Sequence, residues 1–236
     1  MLQADHDNRI PLSRIQRLIG SLMHRAKREG AFFYLECMAD LTELTEMRKA
    51  YSRSVGVRVT TNDFFFRAMA LAAADYPRMA AQVIDGDPDH LQLSPTIGVG
   101  FAVAAPQGLV VPVIQDIHNK TLPQIARESD ALLQKARSNK LSLDDFSGAN
   151  VVLTGLGMYG AHSFYAIAQP GTSGILSIGN IGDTIVPTGD GFVVRKHMSV
   201  CLAADYRVVD EFYAAGFLSK MVGHLEHPRF LMDVEA

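Results

Sequence analysis

Val152-Leu-Thr-Gly-Leu-Gly-Met-Tyr-Gly160 is the stretch on which the choice of fold turns. The apolar run from Ala149 to Thr154 reads as a strand. Gly155, Gly157 and Gly160 then satisfy G-x-G-x-x-G, the fingerprint of a dinucleotide-binding βαβ unit. In such a unit the helix that opens at the third glycine leads to a second strand, with an acid about 20 residues later. Here Pro170-Gly171 stops any helix before a second strand can follow. The glycines therefore read as a turn that brings backbone close to another part of the molecule. The surroundings agree: from Phe146 to Gly182, 37 residues pass without Asp, Glu, Lys or Arg, and eight of the 19 glycines fall there. A membrane span needs ~20 mainly apolar residues, whereas glycines, Pro170 and the polar Asn150, His162 and Gln169 interrupt this window. A second uncharged run, Leu91 to Gln115, is broken in the same way by Pro95, Gly98, Pro106, Gly108 and Pro112. Both read as glycine-punctuated interior.

The rest of the 236 residues fits one α/β domain. With 48% apolar residues, 20% charged and a net charge of −3, the chain can bury a core and lacks the composition of disorder. Its 22 basic and 25 acidic residues leave no basic footprint for nucleic acid or an anionic membrane. The polar start, Met1 to Gln16, has no hydrophobic signal core, and Cys37 and Cys201 lie in apolar alternating stretches. The expectation is a cytoplasmic protein with two core thiols.

Periodicity predicts a helix over Ile10 to Arg28, a strand over Phe32 to Ala39, and a helix opened by Asp40 that runs to Ser54. A third helix, capped by Thr61-Asn62, runs to about Ala74 before Pro77. Ile97 to Ala105 and Leu109 to Ile114 read as a hairpin joined by Pro106-Gln-Gly108. Thr121 and Gln124 form a capping box for a helix ending near Lys140. Strands follow at Ala149 to Thr154, Gly174 to Ile181 and Gly191 to Ala204, then a helix from Glu211 to Leu225. A hairpin among mixed elements argues for a mixed-sheet α/β sandwich. Of eight histidines only His224 and His227 have helix-neighbour spacing, and a solvated helix end accounts for them better than a metal site; no metal is expected.

Several segments together resemble one family. Ile97-Gly-Val-Gly-Phe-Ala-Val103, Gln107-Gly-Leu-Val-Val-Pro-Val-Ile114, Val152 to Gly160, and Asp205-Tyr-Arg-Val-Val-Asp210 look like the motif series of the dihydrolipoyl acyltransferase catalytic domain. That domain is the core of 2-oxo acid dehydrogenase complexes and is similar in fold to chloramphenicol acetyltransferase. Ile10-Pro-Leu-Ser-Arg-Ile15 and Thr61-Asn-Asp-Phe64 match in order as well, so the likeness spans residues 10 to 230. The division it suggests is an arm, 1–9, a catalytic-type domain, 10–230, and a tail, 231–236.

The resemblance implies a chloramphenicol acetyltransferase-like mixed-sheet α/β sandwich that forms a homotrimer. An active-site channel would run between neighbouring subunits, with coenzyme A entering as a substrate rather than a tightly bound cofactor. In the family an Asp-His-Arg-x-x-Asp-Gly motif supplies a histidine that takes the thiol proton, and a facing Ser or Thr donates to the tetrahedral oxyanion. Thr154 falls at the hydroxyl position and Asp210 at the second acid, but the histidine position holds Tyr206 and the closing glycine is Glu211. A phenol of pKa ≈ 10 is ionised about one part in a thousand at pH 7, so Tyr206 is a poor base, and losing a base lowers the rate by ~10²–10⁴. A thiol acceptor retains a few per cent thiolate at pH 7; a hydroxyl acceptor does not. His162 and His197 are the alternative bases outside the motif loop.

No lipoyl domain or Pro/Ala linker precedes Ile10, and acids stand at Asp233 and Glu235 where the family has an apolar knob. The expectation is a stand-alone acyltransferase trimer, using coenzyme A with a small or carrier-bound thiol or hydroxyl acceptor, the lipoyl or acyl carrier reaching it in trans. Thr154 would stabilise the oxyanion, Tyr206 orient the acceptor, and Asp210 fix the loop. Two further readings stay open: a catalytically silent trimeric scaffold, and a channel repurposed for another thioester reaction.

Overall fold

Helix α1 (Arg14–Glu29) begins a turn later than its apolar spacing suggests. The Ser13 hydroxyl accepts the Gln16 N–H at 3.1 Å and the Gln16 amide accepts the Ser13 N–H at 2.8 Å, a capping box that sets the first turn. The computed structural model describes residues 9–232, so most of the arm and the two tail acids lie outside the described residues. Strand β1 (Phe32–Asp40) precedes α2 (Thr42–Ser54), whose Thr42 N–H donates to Asp40 Oδ1 at 2.9 Å. Helix α3 (Thr61–Asp75) is capped by Thr60 rather than by Thr61-Asn62, because Asp63 reaches back to the Thr60 N–H at 2.7 Å. Its Phe64, Phe65 and Phe66 are all buried, as befits a helix enclosed on every side.

Strands β2 (Ala81–Ile84) and β3 (Asp87–Leu93) form a small hairpin that the sequence reading missed. The long hairpin read over Ile97 to Ile114 is divided. Strands β4 (Val99–Phe101) and β7 (Val113–Ile114) belong to the main sheet, while β5 (Val103–Ala105) and β6 (Gly108–Val110) pair only with each other. The break falls where Ala102 donates its N–H to Leu153 O and where Pro112, lacking an N–H, cannot continue a ladder. Helix α4 (Leu122–Arg137) carries the expected Thr121–Gln124 box. Then come β8 (Val151–Gly155), β9 (Gly174–Ile178), β10 (Gly182–Thr188), β11 (Gly191–Asp205) and α5 (Glu211–Glu226). The reading of Gly174 to Ile181 as one strand merged the end of β9 with the approach to β10, a strand of which it gave no sign.

The main sheet runs β1-β11-β9-β8-β4-β7, with β10 beside the first half of β11. Strand β8 is parallel to β4 and β9; the other pairs are antiparallel. This is the mixed-sheet sandwich read from the sequence. One sheet face, with Val151, Leu153, Val200 and Leu202, packs on α3 and α5 in the main core. The opposite face holds a small cluster of Val152, Ala168, Ile175 and Ala203. Among the described residues no helix is long and apolar enough to cross a membrane.

The second half of β11 ends on Asp205, 3% exposed, whose carboxylate receives Arg207 Nε at 3.0 Å and Nη2 at 2.6 Å. Arg207→Ala leaves that buried carboxylate without its cation. A broken buried pair loses about 3–5 kcal/mol, and the half-exposed guanidinium discounts this to about 2 kcal/mol. The melting temperature is expected to fall by roughly 4–8 °C in thermal denaturation; an unchanged melt would show that the pair contributes nothing.

Candidate active site

The glycine turn does what its sequence suggests, but against the chain itself. A Cβ on Gly157 would lie 2.3 Å from Gly179 O, and one on Gly179 would lie 1.7 Å from His162 O. The loop after β8 is thus laid backbone to backbone across the end of β9, held by Leu156 N–H to Ile178 O at 3.2 Å and Asn180 N–H to Ala161 O at 2.9 Å. Only Gly160 in this turn takes positive φ, +81°.

Thr154 stands just before that turn, on the sheet face away from α3 and α5. It shares a cavity of about 430 Å³ with Ile19 and Met23 of α1, Val111, Val152, Ile175 and Gln169. The segment that walls the cavity is tied down at two points. Ala166 donates its N–H to Ser177 Oγ at 3.2 Å, and the Tyr165 hydroxyl donates to Glu36 at 2.8 Å. Glu36 also accepts from Ser199 at 2.5 Å, and these hydroxyls, Ser199 first, hold its carboxyl below the usual range. The Thr154 hydroxyl has no hydrogen-bond partner among the described residues. The cavity therefore offers one free hydroxyl in a mainly apolar wall.

Tyr206 lies at the other end of the sheet, directly after β11. Its N–H donates to Ala31 O at 2.9 Å, its ring meets Phe33 edge-on at 5.5 Å, and it is 54% exposed. The nearby Glu211 carboxylate, by hydrogen bonding first and by its negative charge second, raises the phenol above its ordinary value. The shift keeps the phenol protonated at neutral pH. Asp210 caps α5, accepting the Tyr213 N–H at 2.8 Å. Among the described residues that cap is its one side-chain hydrogen bond, and it has no ion pair.

The structure brings Tyr206, Asp210 and Glu211 onto one turn and keeps Thr154 away from it. Thr154 is opposite Ser177, and Ser177 is opposite Cys201, five residues short of Tyr206. At about 3.3 Å per residue and about 4.8 Å per strand spacing, the two side chains are roughly 15–20 Å apart within one chain. His162 sits in the loop at the end of β9, and His197 lies opposite Asp40 on β1, nine residues before Tyr206 on β11. Neither stands on the Tyr206 turn. His224 and His227 occupy the end of α5, where burial lowers His224 and the His227 ring meets Phe230. Among the described residues no three His, Cys, Asp or Glu side chains form a metal cluster. Cys201 is buried, and half-buried Cys37 is pushed up to about 11, by desolvation first.

The influence of Glu211 on Tyr206 is the feature that sequence reasoning passed over. Glu211 was visible only as one of two departures from the motif; that both departures occur in a single turn was the available signal.

The family model described as "2-oxoacid dehydrogenases acyltransferase (catalytic domain)" matches residues 4–233. The dihydrolipoyllysine-residue acetyltransferase component of the pyruvate dehydrogenase complex of Rickettsia conorii is 30% identical over 227 residues, 94% of this chain and 54% of that protein. The mitochondrial counterpart of Caenorhabditis elegans is 32% identical over 232 residues, covering 45% of that protein. The chain thus spans about half the length of the curated relatives it matches. Among solved structures, the cubic core of a pyruvate dehydrogenase multienzyme complex superposes with a TM-score of 0.88 at 29% identity, over 94% of this chain and 93% of that one. A probable dihydrolipoamide acetyltransferase from Listeria monocytogenes gives 0.87 at 27% identity, over 98% of both chains. A chloramphenicol acetyltransferase, at 0.51 and 15% identity, shares the fold.

Proposed function

This chain belongs to the 2-oxoacid dehydrogenase acyltransferase catalytic-domain family, and from that premise we propose that it moves an acyl group between coenzyme A and a thiol acceptor. The observation that carries the reading is Thr154, whose hydroxyl is unpaired in the wall of the 430 Å³ cavity. A donor held in such a wall matches the charge that develops on a thioester carbonyl oxygen during attack.

The acceptor thiolate attacks the carbonyl carbon of the acyl-coenzyme A thioester. The oxyanion takes the Thr154 hydrogen bond, and collapse breaks the carbon–sulfur bond and releases the coenzyme A thiolate. Thr154 and Tyr206 of one chain are too far apart to serve one carbonyl, so this reading requires a second copy to bring its Tyr206 to Thr154. A homotrimer is the assembly implied by the family resemblance, and a similar solved structure is a multienzyme core. A thiol suits the site better than an alcohol because Tyr206 holds its proton, and a thiol of pKa ≈ 8.5 supplies its own thiolate. A dihydrolipoyl dithiol is the leading acceptor, from the printed activity of the relatives.

The test is to incubate the pure chain with acetyl-coenzyme A and dihydrolipoamide and follow the acetylated product by mass spectrometry. Turnover above the solution rate is expected; its absence overturns the reading. A silent scaffold is the second reading, favoured by the replacement of a titrating imidazole with a protonated phenol. It predicts no turnover in the parent and measurable turnover in Tyr206→His.

A further inference from the structure

We propose that Glu36 is a positioning residue for acyl transfer: it latches the chain segment that walls the Thr154 cavity, and so sets how closely an acyl group is held against the Thr154 hydroxyl. The inference rests on the acyltransferase reading above.

The register of the sheet places the latch in line with that hydroxyl. Thr154 of β8 is opposite Ser177 of β9, Ser177 is opposite Cys201 of β11, and Cys201 is opposite Glu36 of β1. Paired residues share a sheet face, so the four side chains form one row across the face away from α3 and α5. At about 4.8 Å per strand spacing, Glu36 stands roughly 14 Å from Thr154 within one chain and does not reach the same carbonyl. What connects the two is the chain from Ser163 to Gln169, which has neither helix nor strand and supplies Ala166, Ile167 and Gln169 to the cavity.

Such a segment has no ladder of its own, and side chains of the row anchor it. Beside Thr154, Ser177 takes the Ala166 N–H at 3.2 Å; at the far end of the row, Glu36 takes the Tyr165 hydroxyl at 2.8 Å. Ser199 donates to the other carboxylate oxygen at 2.5 Å, which keeps the first one turned toward Tyr165. The Tyr165 ring also meets the Tyr34 ring edge-on at 5.3 Å, and Lys27 Nζ donates to the Tyr34 hydroxyl at 3.1 Å. Lys27 lies in the last turn of α1, whose Ile19 and Met23 line the same cavity. Both cavity walls are thus tied to β1. A carboxylate suits the junction because it accepts two hydroxyls at once, and those hydroxyls, Ser199 first, hold it in the charged form.

The test compares the pure chain with Glu36→Ala, Tyr165→Phe and the double variant, using acetyl- and butyryl-coenzyme A with dihydrolipoamide. Amide exchange over residues 163–169 is followed by mass spectrometry alongside. In Glu36→Ala the segment is expected to exchange faster, and kcat for the acetyl group to fall about tenfold, short of the ~10²-fold that a 1 Å misplacement can cost. The loosened cavity admits a longer chain, so the butyryl-to-acetyl ratio of kcat/KM should rise at least about threefold. Tyr165→Phe should move both in the same direction, and the double variant should add nothing to Glu36→Ala, because the two groups act as one latch. Glu36→Gln, which keeps one acceptor oxygen, should recover part of the acetyl rate. Both positions are exposed, so melting temperatures should stay within about 2 °C of the parent's. An active parent whose rate and acyl ratio are unchanged in Glu36→Ala overturns the positioning role alone. Unchanged exchange over 163–169 in that variant overturns the latch whether or not the parent turns over. A parent without turnover overturns the acyltransferase reading, and the positioning role with it.

Discussion

Gly179→Ala is expected to lose about 3 kcal/mol of stability, a fall in melting temperature of roughly 6–12 °C. Its Cβ would lie 1.7 Å from His162 O and 3.1 Å from Ala161 O, and both are backbone atoms that no rotamer change can move aside. To make room, the 156–162 loop must lift from the end of β9, breaking the Asn180 N–H to Ala161 O bond. The φ of Gly179 is not in the left-handed region, so the effect is one of contact and not of backbone strain. Gly182→Ala is the matched control: a Cβ there meets nothing within 4 Å. It should leave the melt within about 1 °C, as for an open surface position. Equal melting temperatures for the two variants would count against the backbone-to-backbone packing.

Thr154→Val carries the largest expected effect on turnover. Valine keeps the β-branch and the volume and removes only the hydroxyl. Removing one oxyanion donor lowers kcat by about 10²–10³, roughly 2.7–4 kcal/mol of barrier. The strand should hold, because Val is at home in a sheet and the Thr154 hydroxyl makes no hydrogen bond among the described residues. KM for acetyl-coenzyme A should change little, since the donor serves the oxyanion and not the ground state. Thr154→Ser, which restores the hydroxyl, should recover most of the rate. A Val variant that turns over like the parent removes Thr154 from the mechanism.

The long elements were legible because their signals are local. The capping box at Thr121, the apolar spacing of α1 and the alternation of β1 each needed only a few neighbouring residues, whereas the Ser13 box that starts α1 a turn later went unread. The short strands were not. Strands β2, β3 and β10 draw much of their definition from partners, and β10 is mostly exposed, with Ile185 69% exposed. The split between β4–β7 and β5–β6 is fixed by Leu153 O, some 50 positions away. At the site, Thr154, Tyr206 and Asp210 could be named from motif positions, but their distances could not. Only the register across β8, β9 and β11 shows that Thr154 and Tyr206 stand apart. The placing of Tyr206 and Glu211 on one turn depends on a shape that follows from Asp205 O accepting two N–H groups, which no residue pattern announces.

Pairing β1 with β11 also sets a schedule for synthesis. Every partner of β1 in the sheet lies about 160 positions later in the chain. At ~5–20 residues added per second, the first strand waits on the order of 10–30 s for its partner to leave the ribosome. Until then Leu35, Cys37 and Ala39, which the finished fold buries or half-buries, have only water or a chaperone to face. Helices α2, α3 and α4 can form in that interval from local contacts, but the sheet closes only when the last strand arrives. A nascent chain arrested before Gly191 is therefore expected to remain a chaperone client, and release of β11 to be the event that ends it.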